Sequence, residues 1–313
     1  MTGAPPLAGL FADDAALRAG VAAIARRHGL GGAQAQRYDN CSLPVYALGA
    51  QHVLKLYPAH EQAHAQVEAR VLAFVAGRLP LPTPEVVASG THDGGFYLLM
   101  SQMRGRRLVE VWPELAPAER DRLCDGIGEA MAALHALDST PLAALPPPHW
   151  ADFVPAQRRQ AVERQRSAGL PSPWLAQIDP FLERWAGTAD GELVLLHTEV
   201  MREHLLVEPS GAGWRLSGLI DFEPAMRGAR EYEFASIGLF VSCGDGRALR
   251  RIMRAYGVAD AELDAALSCR LMAQALLHRY SNLRWYLERL PLPGASRLEQ
   301  LARHWWCLDD AGH

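Results

Sequence analysis

LVLLHTEVMREHLLVEPSGAGWRLSGLIDF, residues Leu193–Phe222, is the stretch from which the rest of the chain is read. Leu193–Leu196 is an apolar run of strand length, Leu205–Val207 is a second, and Arg215–Asp221 is a third that ends on an acid. Between the first two lies a polar loop carrying His197, Glu199, Arg202, Glu203 and His204. Short strands that end in acids present carboxylates at the rim of a cleft. By itself the same stretch also reads as a surface hairpin with solvated charges.

A chain of 313 residues with 49% hydrophobic content can bury a sizeable core, and two lobes of unequal size suit it better than one. No apolar run approaches the ~20 residues needed to span a bilayer. Met1–Leu10 lacks a basic start followed by an apolar block, so the expectation is a soluble, cytoplasmic protein with no membrane partner. Cys41, Cys124, Cys243, Cys269 and Cys307 are odd in number and free of CxxC spacing, which indicates neither a disulfide framework nor a zinc site. A net charge of −4 gives no reason to expect nucleic acid.

Among the 31 basic residues only Lys55 is a lysine. An ammonium is a compact point charge and a guanidinium a wide planar fork, so a tight phosphate pocket can accept the first and reject the second. Lys55 falls in Val53–Tyr57, a strand candidate that follows two others, Gln34–Arg37 and Val45–Leu48. A helix is expected before them over Ala15–His28, with Asp13 and Asp14 to cap it, and another after them over Glu61–Arg78, which carries Glu68. Phe96–Met100 reads as a further strand, and Pro117–Leu137 as a helix with proline in its first turn. Phe153–Gly187 holds two helical segments rich in arginine and proline. Tyr232–Cys243, Gly246–Tyr256, Glu262–Leu290 and Leu298–Cys307 complete the helices.

The spacing of His197, Glu199, His204 and Asp221-Phe222 resembles the catalytic loop and metal acid of the kinase-like phosphotransferases. There a His-x-Asp places a base, an Asn five residues on holds a metal, and an Asp-Phe-Gly-like Asp holds the same metals. Leu205-Leu206-Val207 and Leu219-Ile220-Asp221-Phe222 look like the antibiotic kinase branch, the aminoglycoside and macrolide phosphotransferases. Glu231–Ala235 stands where that branch has Asp-x-x-Tyr-Asp-Leu-Ala.

The resemblance implies an α+β, protein-kinase-like fold of two lobes. A small antiparallel-sheet lobe would cover residues 1–103 and bind nucleotide, and a larger, mainly helical lobe, 104–313, would carry catalysis and the acceptor. Lys55 paired with Glu68 would aim at the phosphates of ATP or GTP. Ser42, in the turn Asp39–Ser42, would lie over those phosphates, and Gln102 and Met103 would meet the purine through their backbone. Asp221, with His204 or the oxygen of Glu203 beside it, would hold Mg²⁺, or Mn²⁺, which tolerates nitrogen better. Glu199, with His197, would serve a hydroxyl of a small-molecule acceptor, an antibiotic or related natural product. A monomer or homodimer is expected.

The chain departs from the family pattern at Glu199 for Asp, His204 for Asn, Thr198 for Gly and Glu233 for Asp. Three readings therefore stand side by side: a small-molecule O-kinase, a catalytically silent nucleotide-binding pseudokinase, and transfer of a nucleotidyl group. Ser268–Trp306 carries six arginines against two glutamates, interleaved with Tyr280, Trp285, Tyr286, Trp305 and Trp306. That mixture suits an apolar, aromatic or anionic acceptor better than a polycation, unless the aromatics are simply core.

Overall fold

A computed structural model describes residues 9–39, 41–187, 192–211 and 213–309; Asn40, in the turn expected over the phosphates, lies outside them. The chain divides into two compact units, Met1–Gly105 with Ser217–Pro224, and Arg106–Leu216 with Ala225–His313. Among the described residues no helix is long and apolar enough to cross a membrane.

The first unit is built on an antiparallel sheet. Its elements are α1 (Asp14–Arg27), β1 (Ala35–Arg37), β2 (Val45–Leu48), β3 (His52–Pro58), α2 (Gln62–Val75), β4 (Val86–His92) and β5 (Gly95–Ser101), with sheet order β1-β2-β3-β5-β4. Asp13 caps α1 by accepting from Ala16 N–H at 2.7 Å. Leu17, Val21 and Ile24 recur at helical spacing on α1 and pack on Leu54 and Leu56 of β3 and Tyr97 and Leu99 of β5. The segment Ser217–Pro224 is tied to this unit by Leu219 N–H, which donates to Pro82 O at 3.0 Å, and by Ser217 Oγ, which donates to Arg104 O at 2.9 Å.

The second unit is mainly helical. It contains β6 (Arg106–Arg107), α3 (Leu108–Val111), α4 (Pro117–His135), α5 (Trp150–Ser167), α6 (Ser172–Trp185), β7 (Val194–Leu196), β8 (Leu205–Ser210), the start of β9 (Gly213–Leu219), β10 (Met226–Gly228) and α7 (Glu231–Ile237). α8 (Gly246–Tyr256), α9 (Ala265–Leu277), α10 (Leu283–Arg289) and α11 (Leu298–Trp305) follow. β7 pairs antiparallel with β10, and β6, β8 and β9 form a second small sheet. Trp305 and Trp306 are fully buried, so this pair belongs to the core.

Two expected helices are interrupted. The long helix over Glu262–Leu290 ends at Leu277, because His278 takes an extended backbone (ψ 139°), and a new helix starts behind Asn282, whose side chain accepts from Trp285 N–H at 3.1 Å. The break is sustained by Gln165 of α5, which is fully buried. Its amide donates to Ser281 O and Oγ and accepts from Leu283 N–H at 2.7 Å, satisfying polar groups that a helix would have paired internally. Tyr232–Cys243, expected as one helix, is α only to Ile237; Gly238–Ser242 is a turn of π-helix ending at Cys243 in the left-handed region.

α4 and α8 approach closely at Gly128, where a Cβ would lie 2.2 Å from Ile252 O and 2.7 Å from Ala255 Cβ. Both neighbours belong to a second helix and neither can swing away. Gly128→Ala is therefore expected to destabilise the fold by about 1–3 kcal/mol, despite the better helix propensity of alanine, as read from the urea midpoint.

Candidate active site

β3 alternates faces, so while Leu54 and Leu56 enter the core under α1, Lys55 and Tyr57 share the opposite side. Glu68 occupies a core-facing position of α2, in line with Ala65, Val71 and Leu72. Lys55 Nζ lies 3.0 Å from Glu68 Oε2, 2.5 Å from Asp221 Oδ1 and 2.8 Å from Glu223 Oε2. The Tyr57 hydroxyl also donates to Glu68 Oε2, and Phe222 N–H donates to Glu68 Oε1 at 3.2 Å. Burial alone would lower the Lys55 pKa; Asp221, then Glu68, outweigh it and hold the ammonium protonated well above the usual lysine range. Burial and the neighbouring Glu68 push the Tyr57 phenol up, so it remains a donor.

Three carboxylates around one ammonium leave two formal negative charges uncompensated. Oxygens of Glu68, Asp221 and Glu223 all come within 4.8 Å of one another. Glu68 already accepts from three donors, whereas the buried Oε2 of Glu223 has ion-pair distance to Lys55 but no hydrogen bond. The site is thus rich in hard oxygen donors with a charge that a divalent ion would cancel, and it fits Mg²⁺ or Mn²⁺. Asp221 has φ +73°, a left-handed conformation that aspartate adopts more readily than most residues.

In the second unit, β7 and β8 flank the loop His197–His204. Glu233, fully buried on α7, accepts from His197 N–H at 2.6 Å and Thr198 N–H at 2.8 Å, with His135 Nε2 3.6 Å away. Glu199 N–H donates to His197 Nδ1 at 3.3 Å. His204 Nδ1 lies 2.9 Å from Glu199 O, and because a carbonyl accepts, Nδ1 carries the proton. Thr198 is held at φ +74° although it is β-branched, with its peptide fixed on one side by Glu233 and on the other by His278 Nε2, 3.2 Å from Thr198 O. Arg202 is engaged elsewhere: Nε donates to Val241 O at 2.7 Å, and its guanidinium stacks on Trp112 at 4.0 Å.

The family model described as the phosphotransferase enzyme family matches residues 37–267, a span that contains every one of these side chains except His278. The chain belongs to the phosphotransferase enzyme family. No curated protein matches it in a sequence search. Solved structures share its fold. The GDP complex of wild-type aminoglycoside 2'-phosphotransferase-IIIa is 17% identical, with TM-score 0.66, covering 90% of this chain and 96% of that one. A gentamicin complex of APH(2")-IIa is 15% identical, with TM-score 0.64, covering 88% and 97%. A putative aminoglycoside phosphotransferase from Ralstonia eutropha is 16% identical, with TM-score 0.59, covering 93% and 97%.

Within this phosphotransferase-family chain, Lys55, Glu68 and Asp221 come together in the first unit, and His197, Glu199 and His204 in one loop of the second. Ser42 is exposed before β2, and Gln102 and Met103 follow β5; none of the three hydrogen-bonds to the Lys55 cluster. Sequence reasoning missed Glu223, Tyr57 and His278. The first two had a signal, an acid two residues after Asp221 and an aromatic on the same strand face as Lys55. His278 had none, because its contact with Thr198 spans 80 residues.

A hollow of about 390 Å³ beside α1, lined by Arg18, Arg37 and Tyr46, holds none of the candidate residues. A smaller cavity, about 180 Å³, is bordered by Thr198, Glu199 and His278. Burial, helped by Arg279 and Arg164, depresses the His278 pKa to about 3, against the hydrogen bond to Thr198 O. Between pH 6.5 and 3 the unfolded chain takes up a proton at this residue that the folded chain refuses, so stability falls as pH drops through that window. The slope attributable to His278 is expected to be about 0.7 kcal/mol per pH unit at pH 6.5 and to approach about 1.4 about one pH unit below it. Urea titrations of the parent and His278→Gln from pH 7 to 5 should show the variant losing less stability over that range.

Proposed function

We propose that this chain is a nucleotide-dependent phosphotransferase that moves the γ-phosphoryl group of ATP or GTP to a hydroxyl of a small-molecule natural product. The observation that carries this reading is the single lysine of the chain, buried and ringed by Glu68, Asp221 and Glu223. A fixed ammonium beside surplus carboxylates is what a triphosphate with its metal ion requires. Lys55, oriented by Glu68, holds phosphate oxygens. Met103, whose backbone N–H makes no hydrogen bond among the described residues, and Gln102, whose N–H is bonded to Gln51 O and whose carbonyl remains, would offer the chain beyond β5 to the purine, and Ser42 would serve the phosphates. Asp221 and Glu223 would supply oxygens to a divalent ion, whose charge would offset that of the phosphates.

Glu199 accepts the proton of the acceptor hydroxyl as that oxygen attacks the γ-phosphorus. The bond from the γ-phosphorus to the bridging oxygen breaks, and the nucleoside diphosphate leaves with the electron pair. His197, by accepting from the Glu199 backbone, positions the carboxylate. Glutamate reaches about 1.5 Å further than aspartate, and a loop fastened at both ends by Glu233 and His204 is adapted to that length.

Asp221→Asn is expected to abolish transfer and to make residual nucleotide affinity insensitive to Mg²⁺, measured calorimetrically with and without the metal. Lys55→Arg should lower kcat/KM on the order of 100-fold, because the planar fork does not fit a point-charge site. Parental turnover in Lys55→Arg would remove the main support for the reading.

Glu199→Gln keeps the shape of the side chain and removes its charge, so the rate should fall at least ~100-fold. Glu199→Asp should also slow transfer, since a misplacement of about 1 Å can cost on the order of 100-fold. A rise in rate with aspartate would instead favour a silent or drifting nucleotide binder.

A further inference from the structure

The cavity beside Glu199 has chemistry of its own. Its wall is formed by Met201, Leu239, Phe240, Tyr280, Trp285 and Tyr286, with Glu199 and His278 among its few polar members. Three of the rings form a tilted cluster: Phe240 lies 5.7 Å from Trp285 and 5.9 Å from Tyr286, and Trp285 lies 5.8 Å from Tyr286, at interplanar angles of 44°, 71° and 65°. Tyr280 and Trp285 are 46% and 39% exposed, so two large aromatic side chains are left in water at the edge of an apolar hollow. Surface of that kind, when contiguous with a pocket, marks a binding site.

Charge narrows the ligand class. Glu199 is the one carboxylate on the wall, and His278 is neutral there at physiological pH. The cations nearby are arginines: Arg164 Nη1 donates to His278 O at 2.7 Å, Arg279 follows in sequence, and Arg289 covers Trp285 at 4.9 Å from its centroid. The neighbouring Glu288 is engaged by Arg284 at 3.2 Å. A ligand with several ammonium groups needs several carboxylates to replace its water, and would meet arginines instead.

Size narrows it further. A cavity of about 150 Å³ accommodates a benzene ring. The void here, about 180 Å³ and open to solvent on one side, has room at its apolar end for one ring with a short substituent. Glu199 on the same wall would meet a hydroxyl carried by that substituent.

Resting on the phosphotransferase reading, we infer that this cavity is the acceptor pocket and that it takes a compact, uncharged alcohol bearing an aromatic ring, not a polycationic aminoglycoside. The ring lies among Phe240, Trp285 and Tyr286, and the hydroxyl points to Glu199. On transfer, the acceptor oxygen gains a bond to the γ-phosphorus and gives its proton to Glu199, while the nucleoside diphosphate departs.

The test uses the full-length protein and four probes, 2-phenylethanol, 2-(4-hydroxyphenyl)ethanol, kanamycin and myo-inositol. Saturation-transfer NMR without nucleotide reads binding, and product mass after incubation with ATP and Mg²⁺ reads transfer. Both aromatic alcohols should bind with ring protons receiving most of the saturation, and their affinity should not change between 50 and 300 mM salt. Trp285→Ala and Tyr280→Ala, which alter exposed side chains, should each weaken them at least ~5-fold, in the range expected for loss of an aromatic contact. Kanamycin and myo-inositol should not compete.

Absence of aromatic binding, binding indifferent to both variants, or competition by kanamycin would each overturn the inference. Aromatic binding that is lost in the variants, without any phosphorylated product, would uphold the ligand class and count against phosphotransfer. Phosphorylated kanamycin with no aromatic binding would do the reverse.

Discussion

A buried ammonium held by three carboxylates is the interaction on which the first unit depends. Lys55 sits mid-sheet between β2 and β5, where water cannot compensate its charge, and Glu68, Asp221 and Glu223 do so from α2 and from a segment more than 160 residues away in sequence. Breaking such a buried arrangement by removing one partner leaves an uncompensated charge, at a cost on the order of 3–5 kcal/mol. The same ion cluster therefore binds Ser217–Pro224 to the sheet and keeps three acids together. Their mutual repulsion is tolerable because Lys55, Tyr57 and the Phe222 N–H all donate into the cluster.

The second unit solves a comparable problem with hydrogen bonds. A β-branched residue in the left-handed region costs on the order of 1–3 kcal/mol and persists only where its surroundings over-determine it. At Thr198 the surroundings are a fully buried glutamate that takes two consecutive backbone donors and a neutral histidine at the carbonyl. His278 is itself stacked on Tyr232 at 4.9 Å, and the Tyr232 hydroxyl accepts from Arg279 N–H. The break between α9 and α10 is thus part of the machinery that shapes the Glu199 loop, and it places Tyr280, Trp285 and Tyr286 on the adjoining cavity.

The departures from the family pattern fall into place together. Glu233 for aspartate reaches two N–H groups of the loop, Thr198 for glycine is clamped by it, and Glu199 for aspartate stands on the loop so formed. Arginine abundance has a similar logic. Arg251 of α8 uses its fork twice on α4, at Asp121 O and Asp125 Oδ2, and Arg202 and Arg164 reach the carbonyls of Val241 and His278, while the single point-charge site keeps lysine.

Periodicity and punctuation by themselves determined most of the elements. Leu17, Val21 and Ile24 behind Asp13 specify α1, the alternation through Val53–Tyr57 specifies β3, and Gly246–Tyr256 begins and ends as its residues indicate, because caps and repeat distances are local properties of the chain. The spacing of His197, Glu199, His204 and Asp221 and the solitary Lys55 pointed to the family and to most of the candidate site for the same reason. Tertiary structure alone decided the rest. No local signal marks a helix stop at Leu277, since the stop depends on Gln165 pairing the freed backbone from another helix. Glu223 joins the ion cluster only because the chain turns at Asp221, and the aromatics of Ser268–Trp306 divide into core, with Trp305 and Trp306, and cavity wall, with Tyr280, Trp285 and Tyr286, only through packing. A side chain's neighbours along the sequence set its backbone conformation, but its burial and its partners are set by residues a hundred positions away.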